Sequence, residues 1–238
     1  MNFLKPLLIS ISGLNLVGCG GGSSESSPTK TVQFVHMING NTLVENSGHY
    51  ISGIESDISI SKLEYIVTDL SIQTQLGGRS EVVSEIYVDG LSETKKVLTV
   101  PDITISKVSF TFGISKDSIG RESFGNDADI SAMAWPTAMG GGFHYMKLEG
   151  TDEKNGVRDV FLMHSGPTSG ADFSFVVDLI PGEQMAEDSE MIKINMNVEN
   201  WFNGSQVFDF QAYGRKIMKN ASAQKVLQEN GRSVFTLE

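Results

Sequence analysis

The feature that most constrains the fold is a series of short segments in which apolar and polar residues alternate, separated by turn residues. The first is VQFVHMI at 32–38, which places His36 on the same apolar face as Phe34. A longer run of β-forming residues covers 58–75 and contains a predicted break near Asp69. Short strands at this spacing are typical of a β-sandwich.

The rest of the chain continues this pattern until a helical segment near its end. Residues 213–231 carry apolar residues at helical spacing, with Gly231 as the predicted C-cap, and SVFTLE follows as a predicted edge strand. We therefore predict an all-β fold, an antiparallel β-sandwich with a short C-terminal helix. The length suits one β domain or two small ones, and no linker divides it. The further strand segments are EVVSEIYVDG, KKVLTVPDI, ISKVSFTFGIS, FHYMKLEG, VRDVFLMHSG, ADFSFVVDLIPG and MIKINMNVENWF.

The N-terminus is interpreted as a lipoprotein signal peptide at 1–18. Its Lys5 precedes an apolar stretch that is too short to span a bilayer as a helix, which takes roughly 20 residues. The stretch ends in LVGC, which resembles a bacterial lipobox, so Cys19, the only cysteine, is the expected lipidation site. An ordinary signal peptide with an incidental cysteine is the alternative. Residues 19–30 would form the lipidated cysteine and a flexible tether, and 31–238 the folded domain.

Location and charge follow from this interpretation. No Asp follows Cys19, which favours delivery to the outer membrane, facing the periplasm or the cell surface, with the lipid as the membrane anchor. Removal of Lys5 leaves 17 basic against 29 acidic residues, a net charge of −12. Such a surface repels nucleic acid, so nucleic-acid binding is excluded as the function.

Two of the four histidines lie on either side of the loop TDEKNG, in segments that predict a hairpin. If the hairpin is symmetric about residue 154, paired positions sum to 308 and His144 lies opposite His164. Their Cβ atoms would then be ~5 Å apart on one face. A shift of one residue in the loop would instead place the two side chains on opposite faces.

Imidazoles at this separation can share a metal ion, because each metal–nitrogen bond is ~2 Å long. We predict a metal site of His36, His144 and His164, with His49 in NSGHY as a less favoured fourth ligand. Nearby methionines favour copper, as Cu(I) or Cu(II), and imidazole alone also suits zinc. Affinity is expected to fall below about pH 6, where free imidazole is protonated. The alternative is a set of core histidines bonded to backbone carbonyls.

Catalytic motifs are lacking, and we expect no enzymatic activity. The sequence contains no G-x-S-x-G motif, and its GGG at 140–142 is not followed by the Lys-Ser/Thr of a phosphate-binding loop. Glu149 is the nearest carboxylate to the predicted site in sequence, but alternation predicts the face opposite His144. Asn126, Asp127 and Asp129 lack the spacing of a calcium loop, which leaves calcium a minor option.

The stretch MAWPTAMGGGFHYMKLEG at 133–150 constrains its backbone before the first hairpin histidine. Pro136 fixes one backbone angle, and the three glycines allow conformations closed to other residues. Together they would fold the loop over the strand end and set Trp135 beside His144. The alternative is that Trp135 only fills the core above a glycine bend.

From about residue 32 to its end, the chain resembles the MbnP-like family of copper-binding proteins, found beside methanobactin systems and among the CorA-type surface proteins of methane oxidisers. The resemblance implies a β-sandwich outside the cytoplasm that binds copper through histidines. The segments that carry it are VSFTFGI (108–114), MAWPTAMGGGFHYMKLEG (133–150), FLMHSG (161–166), MNVENWF (196–202) and IMKNASAQKVLQENGRSVF (217–235).

The resemblance also implies chemistry at a tryptophan. In some members a tryptophan is oxidised to kynurenine and contributes to the copper site, and a MauG-like di-haem cytochrome c peroxidase is the associated partner. Trp135 and Trp201 are the only tryptophans here, and Trp135 is nearer the histidine segment. The chain departs from the W-x-W step common among relatives, since Trp135-Pro136-Thr137 stands there instead. This departure puts the modification in question and leaves the histidines untouched.

The expected function is that of a copper-binding surface or periplasmic lipoprotein that captures, buffers or delivers copper. The alternative is a metal-free adhesion or interaction lipoprotein built on the same sandwich.

Overall fold

A computed structural model describes residues 29–100, 104–120, 124–182 and 190–238. The predicted signal peptide at 1–18, Cys19 and most of the tether lie outside these residues. The strands are β1 (Thr29–Ile38), β2 (Asn41–Thr42), β3 (Gly48–Ile51), β4 (Ser56–Thr74), β5 (Val83–Asp89), β6 (Thr94–Thr99), β7 (Ile105–Phe112), β8 (Met146–Lys154), β9 (Val157–Ser165), β10 (Phe175–Leu179), β11 (Met191–Asn197) and β12 (Phe235–Leu237). The helices are α1 (Lys116–Ile119), α2 (Ala128–Ala132), α3 (Asn200–Asn203), α4 (Phe210–Tyr213) and α5 (Ala221–Asn230), with single 3₁₀ turns at Thr137–Met139 and Gly231–Ser233.

The strands form two sheets. One has the order β12-β11-β1-β2, with β6 also on β1, and the other has the order β10-β7-β4-β8-β9, with β3 and β5 also on β4. The predicted all-β class is confirmed, with one correction: β1 and β11 pair in parallel, while the other ladders are antiparallel. A parallel pair requires a long crossover, and most of the chain lies between these two strands.

The core lies between the two sheets. β1 alternates as predicted, with Phe34, His36 and Ile38 buried on its inner face. Phe34 meets Tyr65 of β4 and Phe110 of β7 edge to face, with ring centroids 6.2 and 6.3 Å apart. These contacts between facing sheets define a β-sandwich.

β4 is the longest strand and pairs with β3, β5, β7 and β8. The predicted break near Asp69 is confirmed, because this residue has a φ of 56° and the β4–β7 register shifts between Thr68 and Ser71. A β-bulge of this kind bends a strand and increases its twist. The bend lies within the stretch of β4 that pairs with β7, because Val67 and Thr68 pair with β7 before it and Ser71 pairs with β7 after it. The residues of β4 that pair with β8 all precede the bend.

The C-terminal elements match the prediction. Asn220 caps α5 by accepting a hydrogen bond from the backbone of Ala223, and β12 lies at a sheet edge. Gly231 follows α5, but its φ of −55° is ordinary helical backbone. The glycine is needed for space instead, because a Cβ there would lie 2.2 Å from the ring of Phe175. No helix within the described ranges is long and apolar enough to cross a membrane.

Candidate metal centre

A glycine-rich loop, residues 136–142, lies just before β8 in the sequence. Pro136 precedes the 3₁₀ turn Thr137–Met139, and Gly140, Gly141 and Gly142 follow with φ values of 106°, 71° and 97°. Positive φ strains other residues, so the predicted need for glycine is confirmed. The backbone N–H of Trp135 donates to Gly142 O at 2.8 Å, which closes the loop across its base.

Trp135 lies under this loop with 2 % of its surface exposed. Its ring centroid is 4.8 Å from that of His144, in an edge-to-face arrangement. A Cβ on Gly166, at the end of β9, would lie 2.6 Å from the indole, so the absence of a side chain there makes room for the ring. The prediction that the loop sets Trp135 beside His144 is confirmed.

His144 is held by Met133. The backbone N–H of His144 donates to the Met133 carbonyl at 2.6 Å, and its ring Nδ1 lies 3.0 Å from the same oxygen. A carbonyl can only accept, so Nδ1 carries the proton and Nε2 keeps its lone pair. Burial lowers the pKa of His144 to about 4, against the opposing effect of the Met133 hydrogen bond. The ring is therefore neutral at pH 7.

His164 is held by a carboxylate. Its Nε2 donates to Glu149 Oε1 at 2.9 Å, so the remaining lone pair belongs to Nδ1. Burial lowers the pKa of His164, although Glu149 acts in the opposite direction. His164 pairs with Lys147 on β8 and follows the fully buried Met163, so its side chain lies on the outer face of the sheet.

The rings of His144 and His164 lie edge to face with centroids 5.1 Å apart. The predicted proximity is confirmed, but the predicted register is wrong: Lys147 is the residue opposite His164. The turn consists of Asn155 and Gly156 alone, so its centre is displaced from residue 154. The rings still meet because His144 precedes β8 and its backbone N–H bonds to the loop instead of entering the ladder.

His36 lies on the other side of the sheet from His164. It is 5 % exposed between the two sheets, and its Nε2 is 3.0 Å from the hydroxyl of Tyr65. Tyr65 is fully buried on the inner face of β4. Burial lowers the pKa of His36 to about 4, with the charge of Asp89 opposing. The structure therefore does not bring His36 together with the outer-face pair.

His49 lies on β3, opposite Ile58 of β4. Lys147, which neighbours His164, pairs with Glu64 of β4. Six residues of strand separate the two positions on β4, a distance of about 20 Å. Within the described ranges, no group of three or more His, Cys, Asp or Glu side chains could hold a metal. The expected three-histidine cluster is thus replaced by a pair, because the sheet separates His36 from its predicted partners.

Two other predicted residues have structural surroundings of their own. Trp201 is 1 % exposed and packs against Phe112 and Phe175, with centroids 5.1 and 6.5 Å away. Asp127, in the segment considered for calcium, caps α2 by accepting hydrogen bonds from the backbone of Asp129 and Ile130. A helix cap accounts for this aspartate without a metal.

The sequence did not reveal the roles of two residues that shape the site. Glu149 lies on the same face as His164, although alternation counted from His144 predicts the opposite face. The prediction fails because the backbone at His144 is irregular, so strand alternation does not extend from His144 to Glu149. Gln224 of α5 is fully buried, donates to the carbonyl of His164 at 2.8 Å and accepts from the backbone of Gly166 at 3.2 Å. A polar residue on the apolar stripe of a helix is the signal that could have identified Gln224.

Charged residues lie beside the histidine pair on the outer face of the sheet, and one of them bonds to the end of α2. Lys147 is directly opposite His164, and its Nζ lies 3.3 Å from Glu64 and 3.1 Å from the backbone oxygen of Ala132. Lys62 lies opposite Glu149 on β4 and also pairs with Glu64, at 2.9 Å. The outer face beside the histidine pair therefore carries alternating charges, and Lys147 joins it to the end of α2.

These features define a β-sandwich with two neutral imidazoles under a tryptophan-containing loop. The MbnP family model matches residues 27–219, and the chain belongs to the MbnP family. The solved structure of MbnP from Methylosinus trichosporium is similar to this one, with a TM-score of 0.55 and 14 % identity over 89 % of this chain and 98 % of that chain. At this identity the likeness shows the shared fold alone. A search of curated proteins finds no match.

Proposed function

We propose that this protein binds copper through His144 and His164 and captures, buffers or delivers it outside the cytoplasm. The observation that carries the proposal is the pair of rings with centroids 5.1 Å apart, each with one nitrogen already engaged. Hydrogen bonding leaves Nε2 of His144 and Nδ1 of His164 with their lone pairs, and neutral imidazole nitrogen is a copper ligand. Membership of the MbnP family supports the same conclusion.

Copper is favoured over zinc by the number of donors. Zinc sites in proteins take three or four protein ligands. The described residues bring together no group of three or more side chains of the types that hold metals. Two imidazoles are sufficient for Cu(I), which tolerates low coordination numbers. Such an arrangement suits a binding or carrier protein, and we propose no catalytic turnover.

The low pKa values extend the pH range over which binding is expected. Free imidazole takes up a proton near pH 6.5, which set the expected loss of affinity at about pH 6. Burial lowers the pKa of His144 to about 4 and also lowers that of His164. His144 therefore stays neutral at pH 5, and His164 takes up a proton at a lower pH than free imidazole does. We expect the Cu(I) affinity to fall less between pH 7 and pH 6 than it would for two exposed imidazoles.

Competition with bicinchoninate for Cu(I) tests the proposal. We expect His144→Ala and His164→Ala to lower the Cu(I) affinity at least tenfold, because each removes one of two ligands. His36→Gln and His49→Ala are the matched controls, and both should retain the wild-type affinity. Unchanged affinity in both pair variants would contradict the proposed site.

Trp135 is the proposed site of any tryptophan oxidation, because its ring lies against His144. The proposed oxidising partner is a MauG-like di-haem cytochrome c peroxidase. Trp201, enclosed by phenylalanines, is the internal control. Peptide mass spectrometry of the protein from its native host should find kynurenine at Trp135 with Trp201 intact; modification of Trp201 alone would contradict this assignment.

Cys19 is the proposed lipid anchor that places the domain at the outer membrane. Cys19→Ser is expected to release the protein into the soluble fraction. Membrane fractionation with and without a lipoprotein signal peptidase inhibitor measures this directly. Retention of the variant in the outer membrane would exclude the lipid as the main anchor.

A metal-free interaction lipoprotein is the second candidate. It is favoured by the lack of a group of three metal-binding side chains in the described part of the chain. In that case His144→Ala and His164→Ala would lower the free energy of unfolding, and neither the wild type nor the variants would take up copper.

A further inference from the structure

The two imidazoles of the pair are held by unlike acceptors. A backbone carbonyl, that of Met133, holds His144 through Nδ1, and a side-chain carboxylate, that of Glu149, holds His164 through Nε2. The loop fixes the position of the carbonyl, whereas the carboxylate depends on one side chain. The orientation of the second ring therefore depends on Glu149.

Glu149 is well placed to fix that ring. It lies on β8, two residues from Lys147, which pairs directly with His164. Lys62 faces Glu149 across the β4–β8 ladder and brings positive charge close to the carboxylate. The side chain of Glu149 is 25 % exposed and that of His164 is 14 % exposed, so their hydrogen bond is largely shielded from water.

We propose that Glu149 is a positioning residue that selects the tautomer and orientation of His164. By accepting from Nε2, it leaves the Nδ1 lone pair of His164 to act together with Nε2 of His144. This inference rests on the proposed copper function for its consequence, but the tautomer itself can be measured without metal. Carboxylates that hold a ligating histidine in this way raise its basicity and fix its ring.

Long-range ¹H–¹⁵N correlation spectra of the metal-free protein test the positioning. In the wild type we expect one neutral tautomer of His164, with a slowly exchanging Nε2–H proton. In Glu149→Leu we expect a mixture of tautomers and fast exchange of that proton. His144 is the internal control, because the Met133 carbonyl should keep its tautomer unchanged. An unchanged His164 spectrum in Glu149→Leu would overturn the proposal.

Copper affinity provides the second measurement. We expect Glu149→Leu to weaken Cu(I) binding about 10- to 100-fold, as the loss of such a partner does in other metal sites. Glu149→Gln, which keeps an acceptor oxygen, should recover part of this loss. The matched control is Glu153→Leu on the same face of β8, where the carboxylate pairs with Arg158 instead; its affinity should equal that of the wild type.

The outcomes separate the two proposals. A wild-type protein that takes up no Cu(I) would contradict the copper function, while the spectra would still decide whether Glu149 fixes His164. A wild type that binds Cu(I), with Glu149→Leu binding equally well and showing an unchanged tautomer, would contradict the positioning role and leave the copper function standing.

Discussion

At the scale of single residues, Gly166 decides whether Trp135 can reach His144. Its own backbone needs no special conformation, but any Cβ would meet the indole at 2.6 Å and the Phe143 carbonyl at 3.2 Å. The glycine thus acts through space, in contrast to Gly140–Gly142, which act through positive φ. The sequence alone does not distinguish these two roles, because the residue is glycine in both cases.

Gly166→Ala is expected to lower the free energy of unfolding by about 1–3 kcal/mol, because the new methyl group overpacks the site. It should also displace the indole from His144, which a shift in tryptophan fluorescence would report. Gly48→Ala is the matched control, since a Cβ there meets nothing within 4 Å. Equal unfolding free energies for Gly166→Ala and the wild type would show that Trp135 is not tightly enclosed.

At the scale of elements, the sequence predicts that the β8–β9 hairpin exists but does not predict its register. The existence of the hairpin followed from two β-rich segments around a polar loop. Its register did not, because the Asn155-Gly156 pair forms a two-residue turn with φ values of 54° and 76°. The predicted pairing, which is symmetric about the centre of the polar loop TDEKNG, is therefore offset from the observed pairing. The position of His144 could not be predicted from the sequence either. It depends on the hydrogen bond from the backbone N–H of His144 to the Met133 carbonyl, which is not part of the β8–β9 ladder.

The helix α5 is joined to β9 by one buried side chain. Gln224 donates to the carbonyls of His164 and Ile217 and accepts from the backbone of Gly166. These bonds fix the end of β9, where His164 lies. The helix was predicted from its spacing, but its polar contact with the site follows only from how it packs.

Gln224→Leu should lower the free energy of unfolding by about 2–3 kcal/mol, because it leaves buried backbone groups without a hydrogen-bond partner. Gln228→Leu on the same helix is the control. It loses the bond to the Ser174 carbonyl and an exposed bond from Lys225, but Gln228 is only partly buried, so the loss should cost less than about 1 kcal/mol. Urea denaturation gives both values. A similar cost for the two variants would contradict a special role for Gln224 in docking the helix.

At the scale of the whole molecule, the sandwich buries a histidine between its sheets. The alternation in β1 was sufficient to predict that His36 points inward, and this is confirmed. The sequence could not show which histidines lie on the same side of the second sheet, because strand order and strand faces depend on pairing across long separations. The parallel β1–β11 pair was missed for the same reason. Local pattern thus predicted the elements, while the composition of the site depended on long-range pairing.

The buried His36 makes the stability of the fold dependent on pH. Its pKa is about 4 in the folded protein and 6.5 when exposed, so the unfolded state binds more protons below pH 6.5. The free energy of unfolding should therefore fall as the pH falls from about 6.5 to about 4. The contribution of His36 to this loss is about 2 kcal/mol between pH 7 and pH 5.

His36→Gln tests this dependence, because an amide cannot titrate and can still bond to the Tyr65 hydroxyl. Urea denaturation at pH 7 and pH 5 should show a smaller loss of stability in the variant than in the wild type. The variant should retain part of the loss, since burial also lowers the pKa of His144 and His164. Identical losses in the two proteins would show that His36 is not the titrating group.

The central claim is that the protein binds copper between His144 and His164, and diffraction from copper-loaded crystals at the copper absorption edge tests it most directly. The account predicts one strong anomalous peak within ~2 Å of a nitrogen of each ring, under the loop that carries Trp135. A peak at His36 or His49 instead, or no peak in crystals soaked under reducing conditions, would contradict it.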